Sequence, residues 1–283
     1  MRDINVARGQ LILRQASGSN ELLACQRLRY RVFYEEMKAR ADDLTVEQKI
    51  DRDEFDSICD HLIVVNQGPG AQDDPVLLSD GQLIGTYRLL RQEVAEAAIG
   101  FYSQREFDIV PLMKAKPSLR FLELGRSCVL KPFRTRPVVE LLWQGIWNYV
   151  RAYNMDVMLG CASLAGTSPA LHGPALSLLA EAIPKSEWHV NALPDKRIEM
   201  RLLTLSEPEK RRALMSLPPL IKGYLRLGCY IGDGAVADEQ FNTTDVLVIL
   251  PVSAIRSRYF THFGAPVEAT ERIDRPLGQQ PYA

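Results

Sequence analysis

The sequence predicts a mixed α/β sheet, with strands and helices alternating along the chain. Two observations predict it: short apolar runs bounded by turn residues are typical of strands, and apolar residues at helical spacing lie between them. The chain has 283 residues, 46% of them hydrophobic, which is enough for a substantial core. We expect a single domain over residues 1–264, including a C-terminal extension from about residue 184, and a flexible tail over 265–283.

The first elements are a strand and a helix. The strand is predicted at 9–16 and ends at Ser17-Gly18-Ser19. The helix is predicted from Glu21 to Met37, and Asn20 is suited to cap it because its side chain can accept a backbone N–H. The apolar residues that we expect near one face of this helix are Leu22, Tyr30, Phe33 and Met37.

The remaining elements follow the same two patterns. Strands are predicted at 61–65, 82–90, 119–130, 157–162, 197–205 and 245–250, with a loop over 68–75. Pro137 suits the first position of a helix, because its missing N–H is not needed there. Helices are predicted at 138–153, 169–182 and 207–215.

Charged residues interrupt or adjoin several of these apolar elements. Arg29 and Phe33 lie one turn apart on the first helix and share a surface. The simpler interpretation is that Phe33 packs in the core while the Arg29 side chain extends to water. Asp53 and Asp56 could hold an ammonium group or an arginine, whereas an acidic loop is usually just solvated. Arg88 has apolar neighbours and should have a partner, because an unpaired buried charge is very costly.

Two further charges, Glu123 and Arg126, lie within the strand at 119–130. A regular strand would place them on opposite faces, so they share a face only if Gly125 or its neighbours break the alternation. A structural salt bridge and an active-site pair are both compatible with this pattern.

Taken in order, these residues resemble the motifs of acyl-homoserine-lactone synthases, namely Arg29-x-x-x-Phe33, Asp53-x-x-Asp56, Gly85-Thr86-Tyr87-Arg88-Leu89-Leu90 and Glu123-x-x-Arg126. A closer resemblance, over residues 11–264, is to the L-ornithine N-alpha-acyltransferases, a related branch often labelled hemolysin-like. The segments that carry it include Glu106-Phe107-Asp108, Leu122-Glu123-Leu124-Gly125-Arg126-Ser127-Cys128-Val129 and Gly160-Cys161-Ala162-Ser163-Leu164. The stretch from Pro218 to Gly228 fits this branch too.

The resemblance implies a GNAT-like acyl-CoA N-acyltransferase fold with a C-terminal extension. It also implies an enzyme that moves a (3-hydroxy)fatty acyl group from acyl carrier protein to the alpha-amine of L-ornithine. The product would be lyso-ornithine lipid, in the first step of ornithine lipid biosynthesis. No permanently bound cofactor is expected, because the donor is the acyl-phosphopantetheine arm of the carrier protein.

The loop before the helix at 138–153 favours a carrier-protein donor over coenzyme A. GNAT enzymes that use acetyl-CoA have a glycine-rich loop here, whose N–H groups bind a pyrophosphate, whereas residues 133–138 contain no glycine. Lys131, Arg134 and Arg136 would supply a positive patch for an acidic carrier protein or its phosphate. A solvated basic loop is the alternative interpretation.

The chemistry requires a neutral amine, so a group must remove a proton from the substrate. We expect Glu123 to be the base, directly or through water, with Arg126 as the second catalytic residue. The residues implied in substrate binding are Arg29, Phe33, Asp53, Asp56 and Arg88. In this hypothesis Arg29, Arg88 and Arg126 interlock with Asp53, Asp56 and Glu123. A covalent route through Cys128 is the less simple alternative, because the thioester is already activated.

Other residue types limit further functions. The four histidines have no paired spacing and the five cysteines include no CxxC, so we expect reduced thiols and no metal site. The net charge of −1 argues against wholesale nucleic-acid binding. Without a long apolar run or a secretory signal, we expect a cytoplasmic protein. The basic segment 210–212 has two interpretations: it contacts the cytoplasmic face of the membrane peripherally, or it belongs to a solvated helix packed on the core.

Two other functions stay open at this stage. One is an acyl-homoserine-lactone synthase that uses S-adenosylmethionine, although those enzymes are shorter. The other is a non-catalytic GNAT-like module that binds carrier protein or membrane. The acceptor is also open, because a few pocket residues would distinguish ornithine from glycine, lysine or glutamine.

Overall fold

A computed structural model describes residues 4–68, 76–185 and 187–255. Most of the predicted loop at 68–75 and the whole predicted tail at 265–283 lie outside the described residues. The described chain forms two compact units, one of residues 4–99 and 124–154 and the other of residues 100–123 and 155–255. The single domain expected over 1–264 stays a prediction.

The strands confirm the predicted mixed sheet. In chain order they are β1 Asn5–Arg8, β2 Leu11–Gln15, β3 Asp60–Asn66, β4 Leu77–Leu78, β5 Gly81–Arg91, β6 Phe121–Val129, β7 Val157–Ala165, β8 Arg197–Ile198, β9 Tyr230–Asp238 and β10 Thr243–Pro251. The α-helices are α1 Gly18–Tyr30, α2 Asp43–Gln48, α3 Gln92–Glu96, α4 Val110–Ala115, α5 Arg136–Tyr153, α6 Pro169–Leu179, α7 Glu207–Ser216 and α8 Pro219–Leu227.

The first unit is built on the strand order β1-β2-β3-β5-β6, with β4 paired to β5. Strands β2, β3 and β5 pair antiparallel, and β3 is almost fully buried, as its continuous apolar run predicts. Helix α5 packs closely on β2, since a Cβ at Gly145 would lie 2.5 Å from Leu13 Cδ1. Glycine at this position therefore permits the close approach of the helix to the sheet.

Helix α1 differs from its prediction in two ways. Asn20 lies inside the helix, because the helix begins at Gly18 after Ser17. After Tyr30 the chain continues as a π-helical segment, Arg31–Glu36, whose longer repeat changes the face that each residue presents. Met37 is consequently 45% exposed, and the buried face instead includes Ala24, Cys25 and Leu28. The predicted apolar face was therefore wrong for Met37.

The second unit has the strand order β6-β7-β10-β9-β8. The first three residues of β6, Phe121 to Glu123, pair in parallel with Val157 to Leu159 of β7. Strand β10 pairs antiparallel with β7 along its whole length and is buried throughout. Strands β8 and β9 complete this part of the sheet.

The strand predicted at 197–205 was wrong beyond its first two residues. The chain there lies against α6, where the Ser177 hydroxyl accepts the backbone N–H groups of Leu202 and Leu203. These N–H groups are satisfied without a neighbouring strand, so an apolar stretch can remain irregular. The helix predicted at 207–215 is confirmed as α7, whereas β9 and α8 had no counterpart in the prediction.

Candidate active site

A buried ion-pair cluster lies in the first unit around Arg29. Its Nε donates to Asp51 Oδ2 and its Nη2 to Asp56 Oδ2, both at 2.7 Å. Only 1% of the Arg29 side chain and 4% of each aspartate side chain are exposed. A buried charge without its partner would be very costly, so loss of either member of these pairs should destabilise the fold.

The cluster continues through Arg88, whose expected carboxylate partner is confirmed. Its Nη1 lies 2.6 Å from Asp53 Oδ1 and 3.2 Å from Asp56 Oδ1. Asp53 also receives a hydrogen bond of 3.1 Å from Arg126 Nη2. Asp53 is the more accessible aspartate, with 20% of its side chain exposed. Asp53 and Arg126 therefore form the more open edge of the cluster.

The charges of this cluster control the pKa values within it. Burial acts to raise the pKa of Asp56, but Arg29 and Arg88 outweigh it and hold that pKa well below its usual range. The same balance between burial and two arginines, Arg88 and Arg126, lowers the pKa of Asp53. Burial and Arg29 together lower the pKa of the neighbouring His61 to about 4. Both aspartates are therefore ionised and His61 is neutral near pH 7.

The short 3₁₀-helix Glu54–Ser57 positions the two aspartates. Asp53 precedes it and accepts the Phe55 N–H at 3.0 Å, while Asp56 accepts the Asp53 N–H at 3.3 Å. This reciprocal capping fixes both carboxylates by local backbone contacts. Asp53 and Asp56 thus belong to a short, capped helical element, whereas the sequence indicated an acidic loop.

Strand β6 departs from regular strand geometry at Arg126, a neighbour of Gly125, within the stretch where the sequence indicated a break. Arg126 has a φ of +49°, in the left-handed region that is uncommon for residues other than glycine. The ion pairs of Arg126 with Asp53 and Asp51, at 3.1 and 3.6 Å, hold the arginine in this conformation.

Glu123 belongs to the second unit, where it meets a 3₁₀ turn. Its carboxylate accepts the N–H of Tyr102 at 2.8 Å and that of Ser103 at 2.7 Å, and it also accepts the Ser103 hydroxyl. These donors fix the orientation of a carboxylate that is 6% exposed. Its interlocking with the arginines of the first unit stays a hypothesis.

A second acidic group, which sequence reasoning did not assign, lies in the same unit. Glu106 Oε2 is 3.1 Å from Cys161 Sγ, and ligand-type atoms of Glu106, Cys161 and Asp245 lie within 4.8 Å of one another. Burial, followed by the charge of Asp245, raises the pKa of Glu106 to about 7. In the sequence, Glu106 stands out only as part of the Glu106-Phe107-Asp108 segment, and no spacing connects it with Asp245.

The basic loop and Phe33 have mixed environments. Arg134 forms a bidentate pair with Glu36, at 2.6 and 2.8 Å, and Arg136 pairs with Glu140 at 2.6 Å. Lys131 is exposed at the start of this loop, which leads into the N-terminus of α5. Phe33 is partly exposed on the π-helical segment. The loop therefore presents cations, two of which have carboxylate partners.

The thiols and helices limit the alternatives. All five cysteines are free, as expected, and burial raises the pKa of Cys128 far above its ordinary value. A buried neutral thiol is a poor nucleophile, so the covalent route is disfavoured. Within the described ranges, no helix combines the length and apolar character needed to cross a membrane.

Comparison with known proteins identifies relatives across most of the chain. Residues 28–144 match the family described as Acetyltransferase (GNAT) domain. An L-ornithine N(alpha)-acyltransferase of Agrobacterium fabrum is 50% identical over 261 residues, covering 92% of this chain and 87% of that protein. A protein of the same name from Brucella abortus is 47% identical, covering 91% of this chain and 90% of that protein. Another from Rhodobacter capsulatus is 34% identical, covering 90% of this chain and 95% of that protein.

The matches to solved structures are more distant. The N-acyl amino acid synthase FeeM, from uncultured soil microbes, gives a TM-score of 0.48 at 12% identity, covering 88% of this chain and 97% of that chain. The AHL synthase LasI gives a TM-score of 0.46 at 12% identity, with coverages of 91% and 97%. The match to the GNAT domain family confirms the predicted fold class.

Proposed function

We propose, because this chain belongs to the family of L-ornithine N(alpha)-acyltransferases, that it acylates the alpha-amine of L-ornithine. The chain is an acyltransferase of the GNAT type. The acyl group is a (3-hydroxy)fatty acyl chain from acyl carrier protein, and the product is lyso-ornithine lipid. The observation that carries the proposal is 50% identity over 92% of the chain to a relative of that name.

Glu123 is the proposed proton acceptor. The alpha-amine must lose a proton before it attacks the thioester, and a positioned carboxylate contributes about 10² to 10⁴ in rate. The Tyr102 and Ser103 amides supply the positioning. Arg126, on the same strand β6, is the second catalytic residue of the proposal.

The ion-pair cluster supports a more specific assignment of substrate binding. Arg29, Arg88 and Asp56 are almost fully buried and paired, so in our proposal they shape and stiffen the pocket wall. Asp53 and Arg126 are the more accessible members and would contact the charged groups of the zwitterionic acceptor. Phe33, partly exposed, would pack against the substrate.

The donor site that we propose is the loop before α5. Lys131, Arg134 and Arg136 attract the acidic carrier protein and the phosphate of its prosthetic arm. The glycine-free sequence of this loop supports a single phosphate diester over the pyrophosphate of coenzyme A. A carrier-protein donor would also place the reaction in the cytoplasm, with no permanently bound cofactor.

The amphiphilic product requires a route to the bilayer, and α7 offers a surface for it. Arg211 and Arg212 are exposed, and among the described residues neither forms an ion pair. Leu214 and Met215 lie one helical turn further along α7, and Met215 is 75% exposed. Lys222 is close to them, because its Nζ donates to the Met215 carbonyl at 2.7 Å. We assign Arg211, Arg212, Leu214, Met215 and Lys222 to a lipid-docking surface, which combines cations with apolar side chains. Lys210 is omitted because it pairs with Glu181.

The experiment that tests the function supplies the purified chain with 3-hydroxyacyl carrier protein and one acceptor at a time. The acceptors are L-ornithine, glycine, lysine, glutamine and S-adenosylmethionine, and mass spectrometry identifies each product. We expect N-acylornithine to form at the highest kcat/KM. A lactone product from S-adenosylmethionine would identify a lactone synthase, and carrier-protein binding without any acyl transfer would identify a non-catalytic module.

A further inference from the structure

A series of polar contacts joins two buried carboxylates of the second unit, and the single S–H of Cys161 can donate to either of its two neighbours in that series. The series begins at Glu123, which accepts the Ser103 hydroxyl. Ser103 Oγ is 3.7 Å from Cys161 Sγ, and Cys161 Sγ is 3.1 Å from Glu106 Oε2. Each member can donate or accept a proton in one of its protonation states. The proposed base is therefore connected to Glu106 by two groups that can pass a proton.

The charges around Glu106 suit it to hold a proton near neutral pH. The side chain is buried, with 6% of the residue exposed, and Asp245 on β10 is equally buried beside it. Asp238 on β9 adds a weaker negative charge, while Lys196 in the loop before β8 is the opposing cation. Burial raises the pKa of Cys161 on β7 well above its usual value, so that residue remains a thiol with an S–H to donate.

The proton balance of the proposed reaction leaves one proton to be removed. The acceptor enters as an ammonium ion and the donor as a thioester, and the products are an amide and a thiol. Of the two N–H protons lost, one protonates the departing thiolate and the other must leave the site. A carboxylate that is half protonated near pH 7 is suited to receive it.

We propose that Glu106 is the proton store of this active site, which takes the surplus proton from Glu123 through Ser103 and Cys161. The inference rests on the proposed function. The substrate N–H bond breaks as Glu123 gains the proton, and Glu123 then gives it to Ser103 Oγ. Ser103 passes its own hydroxyl proton to Cys161 Sγ, and the Cys161 thiol proton moves to Glu106 Oε2. Glu106 acts through Glu123, so it is a positioning residue.

The kinetic test compares the pH dependence of kcat in the intact enzyme and its variants between pH 5.5 and 9. In the wild type, kcat should rise with pH through about 7, because Glu106 must be ionised to accept a proton. Glu106→Gln and Cys161→Ala should each lower kcat about tenfold or more, remove this acid limb and leave KM within about twofold. Cys161→Ser should restore the limb, because a hydroxyl can replace the thiol in the chain.

Matched measurements separate this role from a structural one. Glu187→Gln, whose side chain is 70% exposed in the same unit, should leave kcat and its pH profile unchanged. Glu106→Gln should also melt at a higher temperature than the wild type at pH 8, where it removes a buried charge. A Glu106→Gln enzyme that keeps the wild-type kcat and acid limb would overturn the inference.

A titration without substrate distinguishes this inference from the proposed function. In protein labelled with δ-¹³C glutamate, one carboxyl signal should titrate near 7, and Glu106→Gln should remove that signal. If that signal titrates in the ordinary range of glutamate, the proton store is wrong even when ornithine is acylated. If the wild type acylates no ornithine, the proposed function fails and takes the proton store with it, whatever the titration shows.

Discussion

Arg29 Nη2 donates to Asp56 Oδ2 at 2.7 Å in a part of the first unit where both side chains are almost fully buried. Such a pair cannot exchange its partner for a substrate without exposing an unpaired charge. In our proposal Arg29 therefore holds Asp56 in place, and the substrate contacts belong to Asp53 and Arg126.

Removal of Arg29 should destabilise the fold more than it changes substrate affinity. Arg29→Ala leaves Asp51 and Asp56 buried without their main cation, which should cost about 3 to 5 kcal/mol of unfolding free energy in urea denaturation. Arg136→Ala, at a side chain that is 88% exposed, should leave the free energy of unfolding essentially unchanged. An Arg29→Ala protein of near wild-type stability whose KM for ornithine is strongly raised would instead make Arg29 a substrate ligand.

Replacement of Glu123 should abolish transfer, and the choice of replacement matters. Glu123→Ala would leave the amides of Tyr102 and Ser103 without this acceptor, and the buried Ser103 amide alone should cost about 1 to 3 kcal/mol. Glu123→Gln can keep an acceptor oxygen for the Ser103 N–H and hydroxyl, loses the acceptor of the Tyr102 N–H and removes the basic site. We expect kcat to fall about 10² to 10⁴-fold, with a smaller loss of stability than in Glu123→Ala. A Glu123→Gln enzyme with wild-type turnover would exclude Glu123 as the base.

Stability should depend on pH through His61. Its pKa is lowered to about 4 in the fold but has its ordinary value near 6.5 in the unfolded chain, so the unfolded state binds more protons between these values. His61 therefore contributes about 3 kcal/mol to the free energy of unfolding above pH 6.5. This contribution is lost as the pH falls towards 4.

The measurement compares unfolding free energies of the wild type and His61→Gln at pH 7 and pH 4.5. Glu106 has the opposite effect, because its raised pKa stabilises the fold at the acid end of this range. Both proteins contain Glu106, so its contribution cancels when their unfolding free energies are subtracted at each pH. His172→Gln is the control and should keep the wild-type pH dependence, because it leaves the surroundings of His61 unchanged. An unchanged slope in His61→Gln would show that His61 titrates normally in the fold.

The lipid-docking surface predicts binding to anionic vesicles. Each cation near a membrane contributes about 1 kcal/mol, so Arg211→Gln with Arg212→Gln should weaken sedimentation with phosphatidylglycerol vesicles about 30-fold. Lys114→Gln with Arg151→Gln removes two exposed cations elsewhere and should leave binding unchanged. If both double variants weakened vesicle binding equally, the attraction would come from the overall charge of the protein and not from this surface. If the wild type bound no vesicles at low salt, the lipid-docking surface would be wrong.

Local patterns allowed much of the fold to be predicted from sequence, but not the contacts between distant residues. Strands β3, β5, β6, β7 and β10 were predicted because they are apolar runs, whereas β9 was missed because glycines interrupt its pattern. The Arg88 partner was expected from the cost of a buried charge. The proximity of Glu106 to Asp245 had no local signal, because the pairing of β7 with β10 sets the surroundings of Cys161.

The central claim is that the chain makes N-acylornithine, and the most direct measurement is mass spectrometry of lipids from a host that lacks ornithine lipids. Expression of the wild-type chain should produce a lyso-ornithine lipid whose fragmentation places a 3-hydroxyacyl group on the alpha-nitrogen. Expression of Glu123→Gln at the same protein level should produce at least about 100-fold less of it. Acyl chains attached to another amine, or an unchanged lipid profile with the folded wild-type protein present, would contradict the claim.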